Sequence, residues 1–266
     1  MTLPFIRLSD DELASNALDP ASRLLAGQVF ASKGVLTIEN AFAPEFIASL
    51  KDAFVANNAK HLVDQETDGT LKVGDKRILV PVEIAGAFNT PQLYANPFIF
   101  PLVQDALGAK CILGSFGAVT ALPGAEDQHI HRDHPFLFHE ENIDTCMPAF
   151  AINVVVPLVD LNEHSGATRV WAGSHQVWQD DQARQLPSED LRAGVGSCIL
   201  MDYRLLHGGT VNHSEQMRPI LYLIYHRPWF KDYVNFVKVR ELVVPIQEHA
   251  NIPEPYQRWF KPRIEA

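Results

Sequence analysis

The sequence predicts a mainly β fold that is preceded by helices. After about residue 110, short runs rich in β-branched and aromatic residues follow one another, and Gly, Asn, Asp and Ser separate them. Parallel strands would need crossover connections of about a dozen residues or more, usually helices, and these gaps rarely supply them. We therefore expect an antiparallel sandwich or barrel.

The predicted strands of this core are five apolar runs. They are Cys111–Leu122, Phe150–Val159, Thr168–Trp171, Val195–Met201 and Pro219–Tyr225.

The first hundred residues have a mainly helical pattern. Ser9, followed by three acidic residues, is typical of a capped helix start. Pro20–Ser32 has the pattern of an amphipathic helix that Gly34 ends. A short strand follows Gly34, and Pro44 opens another helix.

Length and charge limit the organisation and the partners. The 266 residues suit one domain. We expect a helical part at about 1–108, the β core at 109–232 and a tail at 233–266. A net charge of −10 disfavours general binding to nucleic acid, although one local basic pocket for an anionic ligand stays open.

The sequence offers no candidate for a membrane anchor. Its longest apolar stretch, Ala149–Val159, is too short to span a bilayer, and the first residues lack the pattern of a secretory signal. The three cysteines have no metal-ligand spacing, and we expect them to be buried in a protein of the reducing cytoplasm: Cys111, Cys146 and Cys198.

A candidate metal site lies in the β core. His131 and Asp133 are two residues apart, so an extended chain presents both side chains on one face. His207 is the candidate third ligand, because it follows an apolar strand and precedes two glycines where the backbone can turn. Two histidines and one carboxylate typically hold iron(II) and leave coordination positions open. Catalytic zinc accepts the same ligands, so the ligand set alone leaves a hydrolytic enzyme open.

Arg218 is a candidate binding residue for a carboxylate. It begins the strand after His207, and a guanidinium can hold a carboxylate through two parallel hydrogen bonds. A non-catalytic binding protein on the same fold should lack a metal ligand, whereas this chain has all three.

Together these residues resemble the phytanoyl-CoA dioxygenase family of iron(II)- and 2-oxoglutarate-dependent oxygenases. The segments 165–175 and 202–219 continue the likeness, which covers roughly residues 122–230. Two positions depart from the family pattern: Ser165 stands where the family usually has Asn, and Ala172 where it usually has Pro.

The resemblance implies a double-stranded β-helix, the cupin-like jelly-roll barrel. It also implies Fe(II) as metal, with 2-oxoglutarate and O2 as co-substrates. By this resemblance Arg218 would hold a carboxylate of the keto-acid, a contact that hydrolysis does not need, so an oxidative enzyme is favoured over a hydrolytic one. Oxidation of 2-oxoglutarate to succinate and CO2 would accompany oxidation of a small organic substrate, with hydroxylation as the expected outcome. Asp133 argues against halogenation, because halogenating relatives have a small residue there. Substrate identity and oligomeric state stay open.

Further contacts follow from the resemblance. Gln128 and Thr168 are expected to donate hydrogen bonds to 2-oxoglutarate. His226 lies an even number of residues beyond Arg218, so it faces the same side and can contact substrate or support the site from behind. Phe136 and Phe138 can line the mouth, although aromatic residues more often pack in a core.

Overall fold

The structure is a computed structural model that describes residues 3–63, 70–235 and 242–260, together with the backbone of 264–265. Its strands are β1 Phe5–Arg7, β2 Val35–Glu39, β3 Leu71–Lys72, β4 Arg77–Pro81, β5 Ile112–Ala121, β6 Ala151–Pro157, β7 Thr168–Trp171, β8 Ser188–Leu191, β9 Cys198–Asp202, β10 His207–Gly209, β11 Arg218–His226, β12 Val244–Pro245 and β13 Ile264–Glu265. Its α-helices are α1 Asp10–Ser15, α2 Pro20–Lys33, α3 Pro44–Val63, α4 Pro91–Tyr94, α5 Phe100–Leu107, α6 Glu141–Asp144, α7 Asp180–Ala183, α8 Ile246–Asn251 and α9 Glu254–Gln257, with short 3-10 turns at Gly86–Phe88 and Ser174–Gln176.

The strands form two main sheets. The larger has the order β1-β2-β9-β6-β11-β5-β4-β3, and the smaller has the order β10-β7-β8. All neighbouring pairs in both are antiparallel except β1 with β2. The prediction of an antiparallel β core is therefore confirmed, and each of the five predicted runs overlaps a strand.

The larger sheet is covered on both faces, so its central strands have nearly continuous apolar sequences. The helices α2, α3 and α5 pack on the outer face and bury residues such as Phe30, Leu50 and Val103. On the inner face, Val155 and Ile199 pack against Val170 of the smaller sheet. The space between the two sheets is where a site can form.

The local signals in the N-terminal part are confirmed in detail. The Ser9 side chain accepts the backbone N–H of Glu12, whose carboxylate accepts the N–H of Ser9. Gly34 ends α2 in a left-handed conformation with φ of 70°. Its position also leaves no room for a side chain, since an added Cβ would lie 2.5 Å from His175 Nδ1.

The first hundred residues are mainly helical, as expected, because α1 to α4 lie there. They also contain the strands β1 to β4, which extend the larger sheet at its two edges. The short run Arg77–Pro81 becomes a strand because it can pair with the edge of β5, and the local sequence pattern does not reveal this pairing.

The expectation that all three cysteines are buried was wrong in one case. Cys111 and Cys198 are buried as expected, but Cys146 is exposed. Among the described residues no helix is long and apolar enough to cross a bilayer.

Candidate metal centre and its cavity

His131, Asp133 and His207 come together between the two sheets. Each offers a ligand atom, and these atoms lie within 4.8 Å of one another. His207 Nε2 lies 3.6 Å from Asp133 Oδ1. Atoms bound to one ion at about 2.0–2.2 Å can be at such separations, so the cluster fits a single metal ion.

Backbone pairing brings the two histidines together. The His131 N–H donates to the His207 carbonyl at 2.9 Å, and the His207 N–H donates to the His131 carbonyl at 2.8 Å. His207 begins β10, which pairs with β7 in the smaller sheet. The two predicted ligand segments are thus joined through main-chain atoms.

Hydrogen bonds at Nδ1 orient both imidazoles. His131 Nδ1 lies 2.8 Å from the His129 carbonyl, and His207 Nδ1 lies 2.9 Å from the Leu205 carbonyl. A carbonyl only accepts, so each Nδ1 carries the proton and each Nε2 keeps its lone pair for a metal. Burial, and then the neighbouring His207, lower the pKa of His131 to about 4, which favours the neutral ring that metal binding requires.

Two asparagines hold Asp133. The Asn153 side-chain amide donates to Asp133 Oδ2 at 3.2 Å, and the Asn235 amide donates to the Asp133 carbonyl at 2.6 Å. The carboxylate thus has one oxygen occupied by the protein, and its other oxygen, Oδ1, lies on the side of His207.

The three ligands open onto a cavity of about 160 Å³ that also contains two buried arginines. Arg218 is 2% exposed and Arg77 is 1% exposed. They occupy one row of the larger sheet, since both are register partners of Ala121. Arg218 Nη1 donates to the Ala167 carbonyl at 3.1 Å, and Arg77 Nη2 donates to the Thr210 carbonyl at 3.1 Å.

These arginines form a cationic end of the cavity. Burial, and then the charge of Arg77, lower the pKa of Arg218 to about 9, so both charges still persist at neutral pH. Among the described residues, neither guanidinium has a carboxylate within ion-pair distance, and both Nε atoms are buried without a hydrogen-bond partner. Buried charges are normally paired, so this end of the cavity fits an anionic ligand.

Gln128 and Thr168, which the sequence predicts to contact 2-oxoglutarate, also line the cavity. Gln128 Oε1 accepts the backbone N–H of Gly209 at 3.2 Å, and Thr168 is the register partner of Gly209. Arg77 lies over Gly209 and leaves no room for a side chain there, since an added Cβ would be 2.6 Å from Arg77 Nη1.

Arg77 is the residue that the sequence reasoning missed. Its signal is weak, because a cation at the start of a short apolar run is also typical of a solvated strand end. The Arg77 side chain faces the cavity because β4 pairs with β5, and this pairing is not visible in the local sequence.

The three predicted substrate residues lie outside the set that lines this cavity. Phe136 is buried against Trp178 at 4.9 Å between ring centroids, under the guanidinium of Arg132. His226 packs on Phe230. Phe138 is 54% exposed. Their roles toward a substrate stay predictions.

Comparisons with known proteins agree with this geometry. The family model described as "Phytanoyl-CoA dioxygenase (PhyH)" matches residues 30–220. The chain is 28% identical to Dioxygenase af480 of Aspergillus fumigatus over 181 residues. This matched stretch covers 65% of this chain and 52% of that protein. The chain is 32% identical over 205 residues to Dioxygenase trt7 of Aspergillus terreus, covering 73% and 69% respectively. The chain thus spans about half the length of the first of these relatives.

Solved structures share the fold. The non-heme alpha-ketoglutarate-dependent epimerase SnoN from nogalamycin biosynthesis has a TM-score of 0.59 at 17% identity, over 85% of this chain and 96% of that one. HygX from Streptomyces hygroscopicus, solved with nickel and 2-oxoglutarate bound, has a TM-score of 0.59 at 15% identity, over 85% and 96%. The jelly-roll prediction is confirmed in its architecture, although the described strands form two separate sheets and not a closed barrel.

Proposed function

The chain belongs to the phytanoyl-CoA dioxygenase family, and from that premise we propose that it is an Fe(II)- and 2-oxoglutarate-dependent dioxygenase acting on a small organic molecule. One observation carries the proposal. A two-histidine, one-carboxylate cluster and two buried arginines, neither of which has an ion-pair partner among the described residues, share a single cavity. The cluster matches the ligand set of iron(II) oxygenases, and the arginines match a dicarboxylate.

In this proposal His131, Asp133 and His207 hold the iron. Both imidazoles are already fixed with Nε2 available, so little reorganisation accompanies binding. When bound, the iron activates oxygen while 2-oxoglutarate gives up two electrons in its conversion to succinate and carbon dioxide. The protein binds, orients and encloses these groups.

Arg218 and Arg77 would hold the carboxylate of 2-oxoglutarate that is remote from the keto group. Each guanidinium spends part of its hydrogen-bonding capacity on backbone carbonyls, which fixes its plane, and keeps a buried Nε without a partner among the described residues. A carboxylate between them would supply the missing negative charge in a desolvated place. Gln128 and Thr168 would add neutral donors beside it.

Apolar side chains form part of the cavity wall and would limit the access of water to a bound ligand. Val119, Val155 and Ile220 line it together with the polar groups. Its volume of about 160 Å³ suits a compact co-substrate, because pockets for drug-sized ligands measure roughly 300–1,000 Å³. We therefore propose that the cavity takes 2-oxoglutarate and that the organic substrate approaches from its mouth. The cytoplasmic location, and the organisation of residues 1–266 as one domain, stay predictions.

The test combines spectroscopy with turnover. Under anaerobic conditions the protein should bind one iron(II) and then 2-oxoglutarate, with a visible metal-to-ligand charge-transfer band. On admission of oxygen it should release succinate, and a screen of small molecules should find compounds that stimulate this release. Absence of the band with iron and 2-oxoglutarate in excess would refute the proposal, whereas hydrolytic activity with zinc would favour the alternative that the ligand set left open.

A further inference from the structure

Asn153 is a polar residue on an otherwise apolar strand. It lies in β6, whose sequence is Ala-Ile-Asn-Val-Val-Val-Pro. Its register partners are Met201 of β9 and Ile224 of β11, and its side chain lines the same cavity as the metal ligands. Packing against these apolar partners does not require a polar side chain at this position.

The orientation of its amide follows from its neighbour. Asn153 Nδ2 lies 3.2 Å from Asp133 Oδ2. A carboxylate can only accept, so the amino end of the amide must face Asp133 and the carbonyl end must face away. That carbonyl oxygen, Oδ1, is buried and has no hydrogen-bond partner among the residues that the structure describes.

This arrangement favours a role in the site over a role in folding. A buried acceptor without a partner destabilises the folded state, and an apolar side chain would avoid that penalty. Asn153 nevertheless keeps its donor on Asp133. The backbone at Asp133 is held independently, because Asn235 donates to its carbonyl and His131 pairs with His207. What Asn153 adds is control over the rotation of the carboxylate.

We propose that Asn153 is a positioning residue that holds Oδ2 of Asp133, so that only Oδ1 is offered to the metal. The proposal rests on the function proposed above. A carboxylate that binds through both oxygens takes an additional coordination position. That position is needed for the keto-acid or for oxygen, so a carboxylate held by one oxygen preserves the open site.

The test replaces the amide and measures metal binding without turnover. Asn153→Leu keeps the branched shape and the number of heavy atoms of the side chain without its hydrogen bonds, and Asn153→Ala removes the amide group entirely. Ser115→Ala is the matched control, because Ser115 is a buried polar residue in the same row, the partner of Ile224 on its other side. Iron(II) affinity is measured anaerobically by titration, and the visible spectrum of bound cobalt(II) reports its coordination. Thermal melting of the metal-free protein reports folding.

We expect both Asn153 variants to bind iron(II) roughly 10–100-fold more weakly, as is usual when the partner of a metal ligand is removed. Their cobalt spectra should change, while the metal-free melting temperature of Asn153→Leu stays the same or rises. Ser115→Ala should match the wild type in affinity and spectrum.

The outcomes separate this proposal from the function it rests on. Unchanged affinity and cobalt spectrum in the Asn153 variants, with normal binding by the wild type, would overturn the positioning role alone. A strong drop in the metal-free melting temperature of both variants would also overturn it, because Asn153 would then serve folding. Failure of the wild type to bind iron would refute the proposed function itself.

Discussion

The backbones of His131 and His207 exchange two hydrogen bonds of 2.9 and 2.8 Å. Their imidazoles, with ring centroids 4.4 Å apart, therefore start from a fixed main-chain frame. Since the frame uses no side-chain atom, removing one ring should leave the other in place.

The first prediction follows from this frame. The wild type should bind one iron(II) per chain, and His131→Ala, Asp133→Ala or His207→Ala should each abolish turnover, because three ligands are needed to hold the ion in an active geometry. Anaerobic iron titration and succinate release are the measurements. Full activity in any one variant would remove that residue from the ligand set, and near-UV circular dichroism checks that each variant is folded.

The second prediction concerns Asp133→Gly. This change vacates one coordination position and leaves both histidines in their frame, so oxidation of the organic substrate should stop while some iron binding survives. Chlorination is not expected, since chloride also needs a shaped pocket. Product analysis by mass spectrometry is the measurement. Unchanged oxidation would mean that another carboxylate, such as Asp127, serves as the ligand.

The third prediction concerns Arg218, which is 2% exposed. In the proposed complex Arg218 pairs with a carboxylate of 2-oxoglutarate, and Arg218→Ala would remove one member of that buried pair, a loss of about 3–5 kcal/mol, so 2-oxoglutarate should bind roughly a hundredfold or more weakly. Arg218→Lys should recover only part, since an ammonium cannot make two parallel contacts. Iron affinity should hardly change. The measurement is 2-oxoglutarate titration into the anaerobic iron complex, and an unchanged dissociation constant would refute the clamp.

The fourth prediction concerns Arg77. Arg77→Met should weaken 2-oxoglutarate binding as well, and its effect should not add to that of Arg218→Ala, because both guanidiniums would share one ligand. Gly209→Ala should act in the same direction, since the new Cβ would displace Arg77 Nη1. The double-mutant cycle is measured with the same titration. Strict additivity of Arg77→Met and Arg218→Ala would show that the two arginines serve different groups.

The fifth prediction concerns stability. Gly34→Ala should destabilise the protein by at least about 1–2 kcal/mol, from its left-handed backbone alone, and the contact with His175 should add to this. Gly27→Ala is the matched control within α2, where the added Cβ meets nothing within 4 Å. There the better helix propensity of alanine should stabilise by about 0.5–1 kcal/mol. Chemical denaturation measures the free energy of unfolding of both variants. Equal changes at the two positions would contradict the conclusion that the left-handed backbone and the His175 contact require glycine at position 34.

Much of the predicted site depends on patterns within short segments. His131 and Asp133 share a face because an extended chain has a period of two, and this needs no tertiary information. The same applies to the strand Arg218–His226, whose apolar run the sequence displays directly. The helix end at Gly34 is likewise local, because a left-handed residue favours glycine.

Patterns along the chain were thus sufficient to predict an antiparallel β core, the three candidate metal ligands and Arg218 as a candidate carboxylate-binding residue. Contacts in three dimensions were needed to find that Arg77 enters the same cavity, that Asn153 holds Asp133, and that Phe136 is buried against Trp178. The difference lies in the range of the interactions involved. Periodicity and capping act between near neighbours in the chain, whereas strand pairing and side-chain contacts join residues that are distant in sequence, and a local pattern carries no record of its partner.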